Sequence, residues 1–129
     1  IGTAGYVQKK GATSRAEAEI AALSAALESY RVDNGTYPLS NSTSTGARIL
    51  YEQLSGDTNN NGANDDTNSK TYFSFHPNML SAKSGANRTV NDPYGTPYQY
   101  LAPGSNNVAT FDLWTTTGST NTARWITNW

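Results

Sequence analysis

Cysteine is missing from all 129 residues. The chain therefore has no disulfide, no thiolate metal site and no cysteine nucleophile. Charge is sparse as well: 15% of residues are charged, well under the roughly 25% of an average domain. A basic excess is absent, since Lys+Arg 9 against Asp+Glu 10 gives a net charge of −1. Nucleic-acid binding and adhesion to an anionic membrane surface thus lack electrostatic support. No apolar run is long enough to cross a bilayer, and no secretory leader is visible. The sole methionine is Met79 and the chain opens on Ile1, which reads as a processed or truncated piece. Ser, Thr, Asn and Gly fill the space left by charge, a composition common outside the cytosol. A small extracellular domain without disulfides must rest on its core, an assembly or a bound ion.

The strongest pattern present is helical. Ala16, Ile20, Leu23, Leu27 and Tyr30 recur at 4-3-4-3 spacing, which places them on one helical stripe. Alanines between them raise helix propensity. Ser14 with Glu17 fits a capping box, and an earlier start near Tyr6 is the alternative. Asn34-Gly35 supplies a left-handed cap, and Pro38 bars continuation. The stripe is expected to be a core face, and it is also the candidate face for assembly with other copies.

Beyond the helix, residues 39–46 read as a polar loop and residues 48–54 as a short helix. Residues 56–70 carry nothing larger than alanine among apolar side chains, so they are expected at the surface. Residues 71–75 read as a strand ended by Pro77. Asp92 to Pro97 is dense turn chemistry. Residues 98–101 and 109–115 then read as a hairpin around Pro103-Gly104-Ser105-Asn106-Asn107, and Trp125-Ile126 as a last short strand. Trp114, Trp125 and Trp129 are expected to pack in the core or as a C-terminal latch. The order predicts a single α+β domain over 1–129, a long N-terminal helix packed on a small antiparallel sheet.

Three segments carry a resemblance. Ala26-Leu27-Glu28-Ser29-Tyr30-Arg31-Val32-Asp33-Asn34-Gly35-Thr36-Tyr37-Pro38 is similar to the "ALxxYxxDNGxYP" segment of type II secretion major pseudopilins. Asp92-Pro93-Tyr94-Gly95-Thr96-Pro97-Tyr98-Gln99-Tyr100 resembles their "DPWGxPYxY" turn. Phe111-Asp112-Leu113-Trp114, with Thr115 and Gly118, resembles "FDLxSxG", and Asn128-Trp129 their terminal "NW". The segments come in the family's order and span residues 12–129. The resemblance implies a pilin-like fold, a methylated hydrophobic N-terminal helix anchoring the subunit in the inner membrane, and a periplasmic or extracellular filament. It implies as partners other copies of the chain, other pseudopilins and components of the secretion system. A type II secretion pseudopilus and a related type IV pilus are not separated by these motifs.

The resemblance also implies calcium in the loop after the "FDL" strand. Here residues 115–124 contain no carboxylate, and a hard divalent ion needs charged oxygens for more than millimolar affinity. That site is expected to be lost. A second candidate lies upstream: Asp57, Asn59 and Asn61 hold positions 1, 3 and 5 of a calcium loop, Gly62 the turn, the Ala63 carbonyl the seventh and Asp65 the ninth. Position 12 is Asn68 instead of glutamate, which weakens it. Calcium loop and disordered Asn/Asp segment both remain open readings.

Catalytic patterns are absent. His76 is the only histidine and precedes Pro77; no Gly-x-Ser-x-Gly elbow, phosphate loop or dinucleotide fingerprint occurs. A non-enzymatic structural subunit is expected. A surface adhesin or carbohydrate-binding module is the alternative, suggested by Tyr 8 and Trp 3 on an uncharged polar background.

Overall fold

The computed structural model describes residues 2–61, 69–81 and 88–129, with side chains of the first helix described from Gly11 onward. Helix α1 spans Gly2–Asn34 and α2 spans Thr43–Ser55. Three short strands follow, β1 at Gln99–Leu101, β2 at Asp112–Thr115 and β3 at Ile126–Thr127. They form one antiparallel meander in the order β1-β2-β3. Tyr100 pairs with Leu113, and Thr115 with Ile126. Single 3-10 turns sit at Pro77–Met79 and Thr122–Arg124. The expected α+β architecture, a long helix against a small antiparallel sheet, is the one observed.

Helix α1 is 33 residues long, about 50 Å at 1.5 Å per residue. It runs straight through Ser14 and Gly11, so the capping box read at Ser14-Glu17 is not a helix start. Its end follows the local code. Gly35 takes φ +86 and donates its N–H to the Arg31 carbonyl at 2.7 Å, a left-handed cap that side chains with a Cβ resist. Asn34 adds a side-chain bond to the Tyr30 carbonyl.

The chain then doubles back. Ser40 and Ala102 exchange both backbone bonds at 3.0 Å, and the Tyr100 hydroxyl donates to the Pro38 carbonyl. Helix α2 starts five residues before the short helix read at 48–54, because Ser42 caps it through the Ser44 N–H. Gly46 permits its approach to the sheet. A Cβ there would lie 2.4 Å from the Tyr100 carbonyl oxygen, closer than any side chain allows. Residues 71–75 do not form the expected strand. The Tyr72 and Phe73 N–H groups both donate to the Leu54 carbonyl, closing the end of α2.

One core joins these parts. Leu23, Leu27, Leu50, Leu54, Tyr98, Tyr100 and Leu113 are fully buried in it, with Phe111 and Val90 beside them. Ala16, Ile20, Leu23 and Leu27 are buried on this core, and Tyr30 packs against its edge with its hydroxyl on Gln53. Four of these five side chains are thus spent on the chain's own core, and Tyr30 alone keeps partial exposure, which limits what this stripe could offer to another subunit.

Candidate functional site

Two aspartates organise the end of the molecule that carries the family-like motifs. Asp92, 4% exposed, occupies the corner of Asp92-Pro93-Tyr94-Gly95. Its Oδ1 accepts the N–H groups of Tyr94 and Thr96 at 3.0 and 2.9 Å, and its Oδ2 accepts the Thr96 hydroxyl at 2.6 Å. Gly95 follows at φ +87 and returns its N–H to the Asp92 carbonyl. Pro97 closes the corner by bridging to Asn91. Tyr94 reaches α1, its hydroxyl 2.6 Å from that of Thr13.

Asp112 is the second anchor. The Ser105 and Asn106 N–H groups donate to its Oδ2, and the Asn107 N–H to its Oδ1, each at 2.8 Å. Three successive amides thus form a nest whose anion comes from the chain itself. Burial raises the Asp112 pKa, but the nest more than offsets this and holds it below the usual carboxylate value. Gly104 is required beside it, since a Cβ there would meet Asp112 Oδ1 at 2.4 Å.

Thr115 ties the Asp92 corner to β2, the strand that Asp112 opens. It is fully buried at the end of β2, and its hydroxyl donates to Asp92 Oδ2. Sequence spacing could not show this pair, which is 23 residues apart. Asn128 is a second partner that spacing concealed. Its side chain accepts the Leu113 N–H and donates to the Phe111 carbonyl, extending the ladder past β3. Tyr37 meets Phe111 edge-on at 5.0 Å between centroids, so the first and third motifs touch. The indole of Trp114 stacks on Trp125 and meets Trp129 edge-on. Trp125 donates to the Ser119 carbonyl, and Trp129 stays 47% exposed. The three tryptophans form the C-terminal latch.

The loop after Trp114 closes on its own groups. The Thr117 N–H bonds the Thr115 hydroxyl, and the Ser119 N–H bonds the Thr116 carbonyl. In the upstream candidate loop, Asp57 is 4% exposed. Its Oδ2 accepts the Tyr51 hydroxyl at 2.6 Å and its Oδ1 the Asn61 N–H at 3.1 Å. Burial, and next the bond to Asp57, push the Tyr51 pKa up to about 12. Asn59 and Asn61 are exposed. Asn60 turns inward instead, with its amide bridging to the Arg88 backbone at 2.9 and 3.1 Å. Ala63 and Asp65 lie outside the described residues. One carboxylate and two amide oxygens are thus the described donors, a set that fits calcium only at millimolar affinity. Among the described residues, no three His, Asp or Glu side chains gather as a metal cluster.

Comparison with known proteins matches residues 5–129 to the family described as "Type II secretion system (T2SS), protein G". The type II secretion system core protein G of Pseudomonas aeruginosa is 33% identical over 99 residues, 77% of this chain and 54% of that protein. The chain thus spans about half the length of this relative. The crystal structure of the major pseudopilin from the type 2 secretion system of enterohaemorrhagic Escherichia coli aligns at TM-score 0.49 and 24% identity, covering 99% of this chain and 91% of that one. The chain belongs to the type II secretion system protein G family.

Proposed function

We propose that this chain is a structural subunit of a type II secretion pseudopilus, built into a periplasmic filament anchored at the inner membrane, and not a catalyst. The observation that carries the reading is the family match over residues 5–129. The chemistry of the buried acids supports it. Asp57, Asp92 and Asp112 all spend their oxygens on hydroxyls and amides of their own chain, which builds a fold and leaves none of these three free to act as an acid or base in a cleft. His76, exposed before a 3-10 turn, has no place in a catalytic arrangement. The partners on this reading are further copies of the chain, other pseudopilins and the secretion machinery.

The test is genetic. Deleting the gene in the source organism abolishes export of the proteins its type II system secretes, and the intact gene restores it. Normal secretion in the deletion strain overturns the reading.

Calcium at residues 57–66 is a second, narrower proposal, supported by the 1-3-5 spacing of Asp57, Asn59 and Asn61 and by the exposure of the two asparagines. Titration to about 10 mM calcium, above the millimolar affinity of such a weak donor set, raises the melting temperature and slows amide exchange at Asn59 and Asn61. An unchanged melt and unchanged exchange remove the ion from the account.

A further inference from the structure

Of the four large apolar side chains most exposed in the described structure, one lines a cleft and two are sequence neighbours of residues that line it. These three are Val32 at 79%, Leu39 at 73% and Val108 at 70% exposed. Leu39 lines a cleft of about 200 Å³ between the end of α1 and the β1–β2 connection, together with Arg31, Tyr37, Pro103 and Ala109. Val32 and Val108 directly adjoin the lining residues Arg31 and Ala109. An exposed leucine at an open cleft, lined also by Tyr37, Pro103 and Ala109, offers apolar surface that a partner could cover.

The cleft carries one cation. Arg31 sits over the Tyr37 ring at 5.6 Å. The nearby carboxylate of Glu28 accepts the Tyr37 hydroxyl at 2.7 Å, and Arg31 has no ion-pair partner among the described residues. A surface complementary to this cleft needs a carboxylate next to small apolar side chains. Helix α1 presents that combination on its outer face: Glu17, without an ion-pair partner among the described residues, leads Ala18, Ala21, Ala22 and Ala25, all exposed. Glu17 precedes Arg31 by 14 positions. At 1.5 Å and 100° per residue that is about 21 Å along the axis and about 40° short of a whole number of turns. Both groups therefore lie near one side of α1.

We infer that the cleft seats a second copy of this chain, shifted along α1 by about two heptads (about 21 Å), with the partner's Glu17 paired to Arg31 and the partner's alanine face laid against Leu39 and Pro103. The two patches are different surfaces of one molecule. The contact is heterologous, so each added copy exposes the same cleft again and the assembly stays open. The alanines let the helix approach the cleft closely, which a face of long side chains would prevent. This inference rests on the filament reading above and names the surfaces that reading would use.

The absence of native cysteine makes the test direct. Ala21→Cys and Leu39→Cys are introduced together, in cells that produce the protein with its secretion machinery. Mild oxidation gives a ladder of covalent dimers and higher oligomers, and neither single substitution gives one. Arg31→Glu in the double-cysteine chain lowers ladder yield about fivefold, the scale of one exposed charge pair, and adding Glu17→Arg restores it. All four positions are exposed, so each purified variant keeps a cooperative melt, with Arg31→Glu losing only its contact with the Tyr37 ring. A strain that still needs the protein for secretion but gives no ladder overturns the inference and leaves the filament reading intact. So does a ladder indifferent to Arg31→Glu, or cross-linking of these cysteines to a different protein. A strain that secretes normally without the protein overturns the filament reading itself.

Discussion

Asp112→Ala is expected to cost about 3–5 kcal/mol of folding stability, because it strips three backbone amides of their acceptor and empties a buried site. The affected donors are Ser105, Asn106 and Asn107, and the carboxylate they surround is 1% exposed. Set against the 5–15 kcal/mol of a typical domain, a loss of about 4 kcal/mol is a large fraction of the whole. Urea unfolding at pH 7, followed by tryptophan fluorescence, measures it. Asp112→Asn keeps one acceptor and loses less. A cost under about 1 kcal/mol for the alanine variant contradicts the role given to the nest, since even one buried unpaired amide exceeds that. The same carboxylate sets an acid limit. Its pKa is depressed in the folded chain, so the unfolded chain takes up the proton first as pH falls. Its stabilisation is complete above the unfolded value of about 3.9 and is lost as pH drops through the lower folded value. The alanine variant removes this part of the acid sensitivity.

Asp92→Ala is expected to cost about 3 kcal/mol, for a similar reason and with a different signature. Its carboxylate joins the 92–97 corner to β2 through Thr115. Losing it frees both, and the Tyr94 contact to Thr13 on α1 loosens with the corner. The decisive measurement is a double-mutant cycle with Thr115→Val. Both singles destabilise, and the double loses less than their sum by about 1–2 kcal/mol, as residues in one network do. Strict additivity would mean that the two side chains act independently.

These anchors show where sequence is readable and where it stops. The end of α1 was legible because Asn34, Gly35 and Pro38 act on their own backbone. The core stripe was legible because helical periodicity survives in residues 16–30, and burial bears it out. Nothing local tells whether the chain's own sheet or a neighbour covers an apolar face; here four of the five residues pack inside the chain. The start of α2 was missed because Ser42, Thr43 and Ser44 read as loop by composition, while one of them is a cap. Residues 71–75 have strand composition, yet their amides serve the end of α2 instead of a ladder. Asp92 and Asp112 were singled out through their motifs. The bond between Asp92 and Thr115 was invisible, because a hydroxyl 23 residues away leaves no periodic trace. The calcium-like spacing at 57–61 is real in sequence, but Asn60 and Asp57 turn much of it toward the interior.

The contact at Gly46 has a mechanical consequence. With the Tyr100 backbone so near that a methyl group would not fit, α2 has no clearance for a shear displacement along the sheet. On the same face one turn away stand Thr43 and Leu50, so a slide of one turn would bring a side chain against the carbonyl that Gly46 now faces. Relative motion of these layers is therefore barred unless they separate outright. Under a load along α1, α2 and the meander are therefore expected to move together rather than past one another.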